Sequence, residues 1–290
     1  MQKIGNITST ADLNGEWTNG NVAAGAVPTL LDAAWLNTIQ RELINVISAA
    51  GLTLNPSNDA QLLAALKVGI GPGRLLGSPR IFTASGTYTA TAGTNSVIVE
   101  LLGAGGAGGG IPTSPSYGAG APGGGGGGYG RKRITSGFSG VMVTIGAGGI
   151  GVANNVGNNG GSSSFGSLFT CTGGTGGGVG NVAGATNVLA AGIVGVGGTA
   201  TSADISVAGA NGAVALIGPA FAQGGNGGGT EYAPHTYGVS TVAGTGTVSN
   251  GTNGVANRGA GGSGAVGLNN GIVASGGNGG SGLCIVWEYS

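Results

Sequence analysis

The sequence predicts a small α-helical region followed by a mainly β, glycine-rich domain. Glycine supplies 71 of the 290 residues, about a quarter of the chain, whereas about 7% is usual. Five of these glycines lie in residues 1–68 and the other 66 lie in residues 69–290. Charged residues make up 6% of the chain. This shift in composition places a domain boundary between residues 1–75 and residues 76–290.

Apolar residues at helical spacing predict the first helix. Trp35, Ile39, Leu43 and Val46 recur on one face, and Gly51 is a suitable stop. Just before them Thr29 and Asp32 have the spacing of a capping box, in which Thr29 would cap the helix.

A second, shorter helix is expected from Asn58, where the sequence reads NDAQLLAALK. Asn58 is the expected cap, and Gln61 follows three residues later. Two helices of this size are too small to build an independent core. We therefore expect Trp35, Ile39, Leu43 and Val46 to pack against another chain, as an oligomerisation and attachment surface.

β-branched and aromatic residues bounded by turn residues predict the strands of the second domain. The predicted strands lie around Phe82 and Tyr88, and at Ser96–Leu102, Val141–Ile145, Phe165–Phe169 and Leu283–Tyr289. In the last of these, Leu283, Ile285, Trp287 and Tyr289 share one face.

Glycine tracts alternate with these strands, at 103–110, 118–130, 146–151, 173–180, 224–229, 259–264 and 276–282. A flexible linker is one interpretation. Because interleaved apolar residues and a closing strand argue for order, two ordered interpretations remain. The tracts could be packed polyglycine-II helices whose bare backbones bond to one another, or tight turns of a β-sandwich with much irregular structure.

Composition also weighs against several functions. Nine basic residues in a chain of zero net charge argue against nucleic-acid binding, which depends on Lys and Arg. No apolar stretch reaches the roughly 20 residues of a membrane span, and Met1–Asn6 lacks the apolar core of a signal peptide. Cys171 and Cys284 are expected to be free thiols. A single histidine and scattered carboxylates predict no enzyme, no metal site and no cofactor.

Two stretches carry a resemblance to known proteins. The first 68 residues resemble the N-terminal region of tail fibre proteins of tailed phages and prophages, particularly Mu-like ones of Pseudomonas. The segments that carry this resemblance are NGEWTNGN, PTLLDAAWLNTIQREL and NDAQLLAAL. The remainder is similar to the glycine-rich C-terminal domain of many phage tail proteins. It is also similar in composition to T-even-like adhesins, whose tracts pack as polyglycine-II helices.

The sequence departs from a full-length fibre in having no long shaft between residues 68 and 80. The resemblance implies a structural protein of the virion, made in the host cytoplasm. Its N-terminal region would attach to other tail, baseplate or fibre proteins. Its glycine-rich domain would bind a bacterial surface receptor, such as a polysaccharide, a pilus or an outer-membrane protein. Tail fibres of this type are usually trimers. The alternatives are a connector without receptor contact, and a polysaccharide depolymerase, against which the lack of paired carboxylates argues.

Receptor contact is expected where side chains cluster, because glycine tracts offer none. The segment Glu231–Tyr237 contains Tyr232, His235 and Tyr237, and tyrosine is favoured at binding surfaces. Tyr117 and Phe221 are secondary candidates, and capping of a hydrophobic layer is the alternative role for the tyrosines. The basic run Arg131–Arg133 is interpreted as a solvated strand edge, with an anionic-polysaccharide patch as the alternative.

Overall fold

A computed structural model describes residues 3–69, 73–186, 188–242 and 246–290. It divides into two compact units, residues 1–74 and residues 75–290. The first contains both helices, and the second contains the strands and the glycine tracts. The predicted fold class, helical at the N-terminus and mainly β beyond it, is confirmed.

The first helix, α1, spans Ala33–Ala49 and is capped by Asp32, whose side chain accepts a hydrogen bond from the Ala34 N–H. The prediction that Thr29 caps this helix is wrong. The Thr29 hydroxyl instead accepts from the Thr18 N–H and donates to the Thr10 carbonyl. The predicted stop is correct, since Gly51 follows the helix with φ at +72°.

The second helix, α2, spans Gln61–Gly69. Asn58 accepts from the Ala60 N–H, ahead of the helix. Gln61 does not complete a capping box with Asn58. Its side chain binds the preceding loop, accepting from the Asn55 N–H and donating to the Thr53 carbonyl.

Little of the apolar surface of residues 3–69 is buried within this unit. Trp35 is half-buried and packs edge-to-face on Trp17, with ring centroids 5.1 Å apart. Ile39 is half-buried, whereas Leu43 and Val46 are exposed. In α1 the buried residue is Ile47, which the predicted apolar face had omitted.

Eighteen strands lie in the described residues of the second unit. They are β1 (Arg80–Phe82), β2 (Gly86–Tyr88), β3 (Ser96–Leu102), β4 (Ser114–Gly120), β5 (Tyr129–Ile134), β6 (Val141–Thr144), β7 (Ser163–Phe165), β8 (Phe169–Cys171), β9 (Asn181–Val182), β10 (Leu189–Ala191), β11 (Ala200–Thr201), β12 (Ile205–Val207), β13 (Ala215–Gly218), β14 (Phe221–Gln223), β15 (Ser240–Val242), β16 (Thr247–Ser249), β17 (Val266–Asn270) and β18 (Leu283–Tyr289).

Two of the four sheets form what we call the basal sandwich, which the chain enters at Leu75. Their strand orders are β1-β18-β3-β5-β12 and β11-β8-β7-β6-β2. Between them lies the main core, with Tyr88, Val99, Phe165, Phe169 and Val286 fully or almost fully buried. In β18 the face that enters this core is Cys284, Val286 and Glu288, so the face shared by Leu283, Ile285, Trp287 and Tyr289 is the more exposed one.

The other two sheets, β10-β13-β14-β15 and β16-β17-β4-β9, form the distal sandwich. Its core is smaller and aliphatic, and includes Ala215, Ile217, Ala222 and Val266. Small side chains there match the short strands.

Glycine-rich tracts connect the two sandwiches. Eleven can be traced in the described residues from their hydrogen bonds: tract 1 (103–110), tract 2 (121–128), tract 3 (146–151), tract 4 (155–161), tract 5 (172–178), tract 6 (193–199), tract 7 (208–213), tract 8 (224–229), tract 9 (250–254), tract 10 (259–265) and tract 11 (275–282). A tract of eight residues at 3.1 Å per residue is about 25 Å long.

Hydrogen-bond partners along tract 1 repeat every third residue. Gly103, Gly106 and Gly109 donate their N–H groups to tract 2, the residue after each donates to tract 4, and Gly105 and Gly108 donate to tract 11. The carbonyls of tract 1 accept from tracts 3, 5 and 10. A period of three is that of a polyproline-II-type helix, so tract 1 is a polyglycine-II helix with six neighbours.

Tract 2 has the same surroundings. Its N–H groups donate in rotation to tracts 7, 10 and 5, and its carbonyls accept from tracts 1, 6 and 8. Tracts 1 and 2, each with six neighbours, are the two central helices of the bundle. Tracts 5 and 10 contact both of them, because two adjacent helices in a hexagonal array have two neighbours in common. The tracts are therefore packed helices, and the two sandwiches at their ends contain the turns and bulges of the other ordered interpretation.

At the edge of this bundle, asparagine side chains accept hydrogen bonds from backbone N–H groups that have no neighbouring tract to donate to. An outer tract has N–H groups that face away from the other tracts, and an unpaired backbone donor is costly when it is buried. The side-chain oxygens that accept from such groups include Asn159 Oδ1 from Gly176, Asn211 Oδ1 from Gly197, and Asn278 Oδ1 from Gly151, at 2.8–2.9 Å.

Glycine is required in the central helices because the backbones approach so closely. A Cβ atom on Gly124 would lie closer than 3.0 Å to the carbonyl oxygens of Gly106 and Ala107. By contrast, a Cβ on Gly271, in the loop after β17, would meet no atom within 4 Å.

We predict that Gly124→Ala lowers the free energy of unfolding by about 3 kcal/mol or more, as overpacking of a rigid interior does. The matched variant Gly271→Ala should change it by less than about 0.5 kcal/mol. Denaturant unfolding of both variants measures the difference. Equal stabilities of the two variants would contradict the close packing of tracts 1 and 2.

Candidate functional site

All charged side chains of residues 75–290 lie at the basal end of the second unit. Six of the nine are on strands of the basal sandwich, and Asp204 directly precedes β12. The two others, Glu231 and Arg258, flank the basal ends of tracts 8 and 10. The distal sandwich and the loops around it contain no Asp, Glu, Lys or Arg.

Tyr232 is held at the basal end by Glu100. The Tyr232 hydroxyl donates to Glu100 Oε2, which also accepts from the Tyr129 hydroxyl at 3.3 Å, while Trp287 Nε1 donates to Glu100 Oε1 at 3.2 Å. The rings of Tyr129 and Tyr232 pack edge-to-face, 5.9 Å apart. Burial and the Glu100 charge raise the pKa of Tyr129 to about 12, and burial and the hydrogen bond to Glu100 raise the pKa of Tyr232.

The rest of the Glu231–Tyr237 segment folds back onto tract 8. His235 Nδ1 lies 3.3 Å from the Gly229 nitrogen and 3.2 Å from the Gly227 carbonyl oxygen, and Thr236 pairs with Gly227. Tyr237 is 77% exposed. A cleft of about 330 Å³ beside this segment is lined by residues that include Glu231, Pro234 and His235.

Tyr117 and Phe221 lie in the distal sandwich, at the opposite end of the bundle. Tyr117 is on β4 and is half-buried against the distal core. Phe221 is on β14, paired with Val242 and Gly218 on the neighbouring strands. The structure thus places the five predicted receptor-contact residues in two separate groups. It brings only Tyr232, His235 and Tyr237 together.

The interpretation of Arg131–Arg133 as a solvated strand edge holds only in part. These residues are on β5, the fourth of the five strands, and β12 pairs with Tyr129–Arg131, so Arg131 lies between two strands while Lys132 and Arg133 lie beyond the end of β12. Lys132 Nζ donates to the carbonyls of Leu168 and Ser202, and the Arg133 N–H donates to Asp204. The run therefore connects the two sheets of the basal sandwich and β12.

Glu288 is a buried carboxylate in the basal core. It accepts from the Tyr88 hydroxyl at 2.6 Å and from the Thr91 N–H and hydroxyl, and Arg80 Nε is 3.4 Å away. Burial by itself would raise its pKa, but these hydrogen bonds and the Arg80 charge outweigh burial and lower the pKa of Glu288. With its hydrogen-bond acceptors satisfied, Glu288 has a structural role.

The two cysteines are free, as expected, and both lie in the basal core. Burial raises the pKa of Cys171 to about 12 and raises that of Cys284 as well. Since the thiolate is the reactive form, neither thiol is activated as a nucleophile.

Within the described ranges, no group of three or more His, Cys, Asp or Glu side chains is placed to hold a metal ion. No helix among the residues that the structure covers is both long and apolar enough to cross a bilayer.

Comparison with known proteins gives one family. The model of the glycine-rich domain family matches residues 83–289, and the chain belongs to this family. The match covers nearly all of the second unit and none of residues 1–74. None of the curated proteins matches the chain.

The contacts of Tyr232 and Tyr237 predict different effects on stability. Tyr232→Phe removes a hydrogen bond to a carboxylate, and we expect it to lower the free energy of unfolding by about 1–2 kcal/mol. Tyr237→Ala, at an exposed position, should change it by less than about 0.5 kcal/mol. Denaturant unfolding tests both. A Tyr232→Phe protein as stable as the unchanged chain would mean that Tyr232 does not anchor this segment.

Proposed function

We propose that the chain is a structural protein of a phage tail fibre or tail tip. In this proposal residues 1–74 attach it to other tail or fibre proteins and assemble it into a trimer. Residues 75–290 bind a bacterial surface receptor. The observation that carries the proposal is the polyglycine-II bundle. Its two central helices consist of glycine and alanine with one proline, Pro122, so the bundle can hold surface residues rigidly and has no reactive side chain on these two helices.

The exposed apolar residues of the first unit support the attachment role. Thirteen large apolar side chains of residues 3–69 are exposed, among them Leu36, Leu43 and Val46 on α1 and Leu63 and Leu66 on α2. Patches of this kind mark protein–protein contacts. The resemblance of residues 1–68 to tail fibre N-termini agrees with this role.

The second unit is suited to the exposed end of a virion because it depends little on charge. Its bundle is stabilised by backbone hydrogen bonds between tracts, which salt does not screen as it screens exposed ion pairs. Side chains available to a receptor remain on the outer tracts and on the loops at each end. Tyr237 at the basal end, and Tyr117 and Phe221 at the distal end, are the aromatic candidates.

Competition for phage adsorption tests the proposal. Purified full-length chain is incubated with receptive bacteria before phage is added, and free phage is counted. An adhesin should lower the adsorption rate in proportion to the sites that it occupies, and labelled chain should bind these bacteria but not a phage-resistant strain. Light scattering of the same preparation should give the mass of a trimer.

Two results would contradict receptor binding. The chain could fail to bind receptive cells, or it could bind them and leave adsorption unchanged. If the chain assembles and is present in virions but neither binds receptive cells nor lowers adsorption, it is a connector of the tail tip.

A further inference from the structure

The distal half of the second unit combines a lack of charge with exposed aliphatic side chains. Away from the basal end the second unit has no Asp, Glu, Lys or Arg. Within the tracts, large aliphatic side chains are found on the outer helices. Two of them, Ile193 and Val196 on tract 6, form what we call the aliphatic patch together with Val179 and Val214, which directly follow tracts 5 and 7, and Leu216 on β13.

Hydrogen bonds between tracts 5, 6 and 7 show that these residues are neighbours. Gly178 donates to the Ile193 carbonyl, which places Val179 beside the distal end of tract 6. Gly212 donates to Gly195 and Gly209 donates to Gly198, and continuing this antiparallel register sets Val214 level with Ile193.

The three-residue period of the helix places a second aliphatic side chain of tract 6 in the patch. Ile193 and Val196 are three residues apart and so lie on one face of tract 6, where they are 82% and 55% exposed. Leu216 extends the surface onto the outer face of β13, whose flanking residues Ala215 and Ile217 are buried.

We propose that the aliphatic patch is the contact surface for a protein with an uncharged, apolar surface, exposed on the host cell. This inference rests on the proposed function and specifies its receptor as protein. Exposed aliphatic surface is destabilising in water unless it is covered by similar surface. An uncharged partner is favoured because the distal half offers no charge to pair with, and burying an unpaired charge is costly.

The chemistry of the patch argues against two other partners. An anionic polysaccharide or a lipid phosphate would be bound through Lys or Arg, and all of these in the second unit lie at the basal end. A surface helix or patch that inserts into a bilayer also usually has a basic border. The patch has no ring on which a sugar could stack, so a protein is the partner that these residues fit.

Binding of labelled full-length chain to receptive cells tests this inference with two matched double variants. Ile193→Asn with Val196→Asn removes the centre of the patch. Ile81→Asn with Ile205→Asn makes the same change at two exposed aliphatic positions of the basal sandwich, 60% and 53% exposed. We expect the first variant to bind about tenfold or more weakly, as loss of a contact centre does, and the second to bind unchanged.

The same assay is run in 0.1 M and 1 M NaCl, and on cells treated with protease or with periodate. Affinity should change less than about twofold between the two salt concentrations, because few charges are available for salt to screen. Protease should abolish binding, and periodate, which oxidises saccharides, should not. Both double variants should melt at the temperature of the unchanged chain.

Four results would overturn the inference while leaving receptor binding intact. They are normal binding by the patch variant, equal weakening by both variants, a strong decrease in affinity at high salt, and binding that survives protease. If binding survives protease but periodate abolishes it, the receptor is a saccharide. If binding survives both treatments and the chain also binds neutral lipid vesicles, the receptor is the membrane. Failure of the unchanged chain to bind any receptive cell would instead refute the proposed function.

Discussion

The fold of the second unit depends on pairing the backbone hydrogen-bonding groups of its glycine tracts. Glycine loses more conformational entropy on ordering than any other residue, and tracts 1 and 2 contribute almost no side-chain packing. Each residue can nevertheless offer one N–H and one C=O to neighbouring chains, and in the two central helices these groups point to six neighbours. The arrangement requires bare backbone, which explains why nearly a quarter of the chain is glycine.

The other parts of the unit follow from this requirement. Tracts this short need their ends fixed, and a sandwich at each end fixes them, with the larger aromatic core at the basal end. Outer tracts lack neighbours on one side, and asparagine, serine and threonine side chains accept the free N–H groups there. Most bulky or polar side chains of the tracts, though not the buried Ser263, are therefore displaced to the outer faces and the two ends, where contact with a partner is possible.

Strands and helices could be predicted from the sequence because their signals are local. SVIVELL and LCIVWEY became paired strands of the main sheet, and the helix before Gly51 ended as expected.

The boundaries of the glycine tracts were harder to predict. Tracts 4, 6, 7 and 9 were missed because asparagine, valine and threonine interrupt their glycines. The 118–130 run was one tract in sequence, but its ends belong to β4 and β5. Which tracts are neighbours depends on pairing between distant residues, and so could not be read locally. For the same reason the contact of Tyr232 with Glu100, 132 residues away, and the aliphatic patch across three tracts had no signal in sequence.

Hydrogen exchange of the central glycines shows whether the tracts are paired in solution. All six N–H groups of Gly123–Gly128 donate to backbone carbonyls of three other tracts. Glycine labelled with nitrogen-15 allows their exchange to be followed by NMR. We predict that these amides exchange as slowly as those of β3 in the basal core, because both open only when the unit unfolds. Exchange at the rate of an unstructured peptide would show that the tracts are linkers and that no bundle forms.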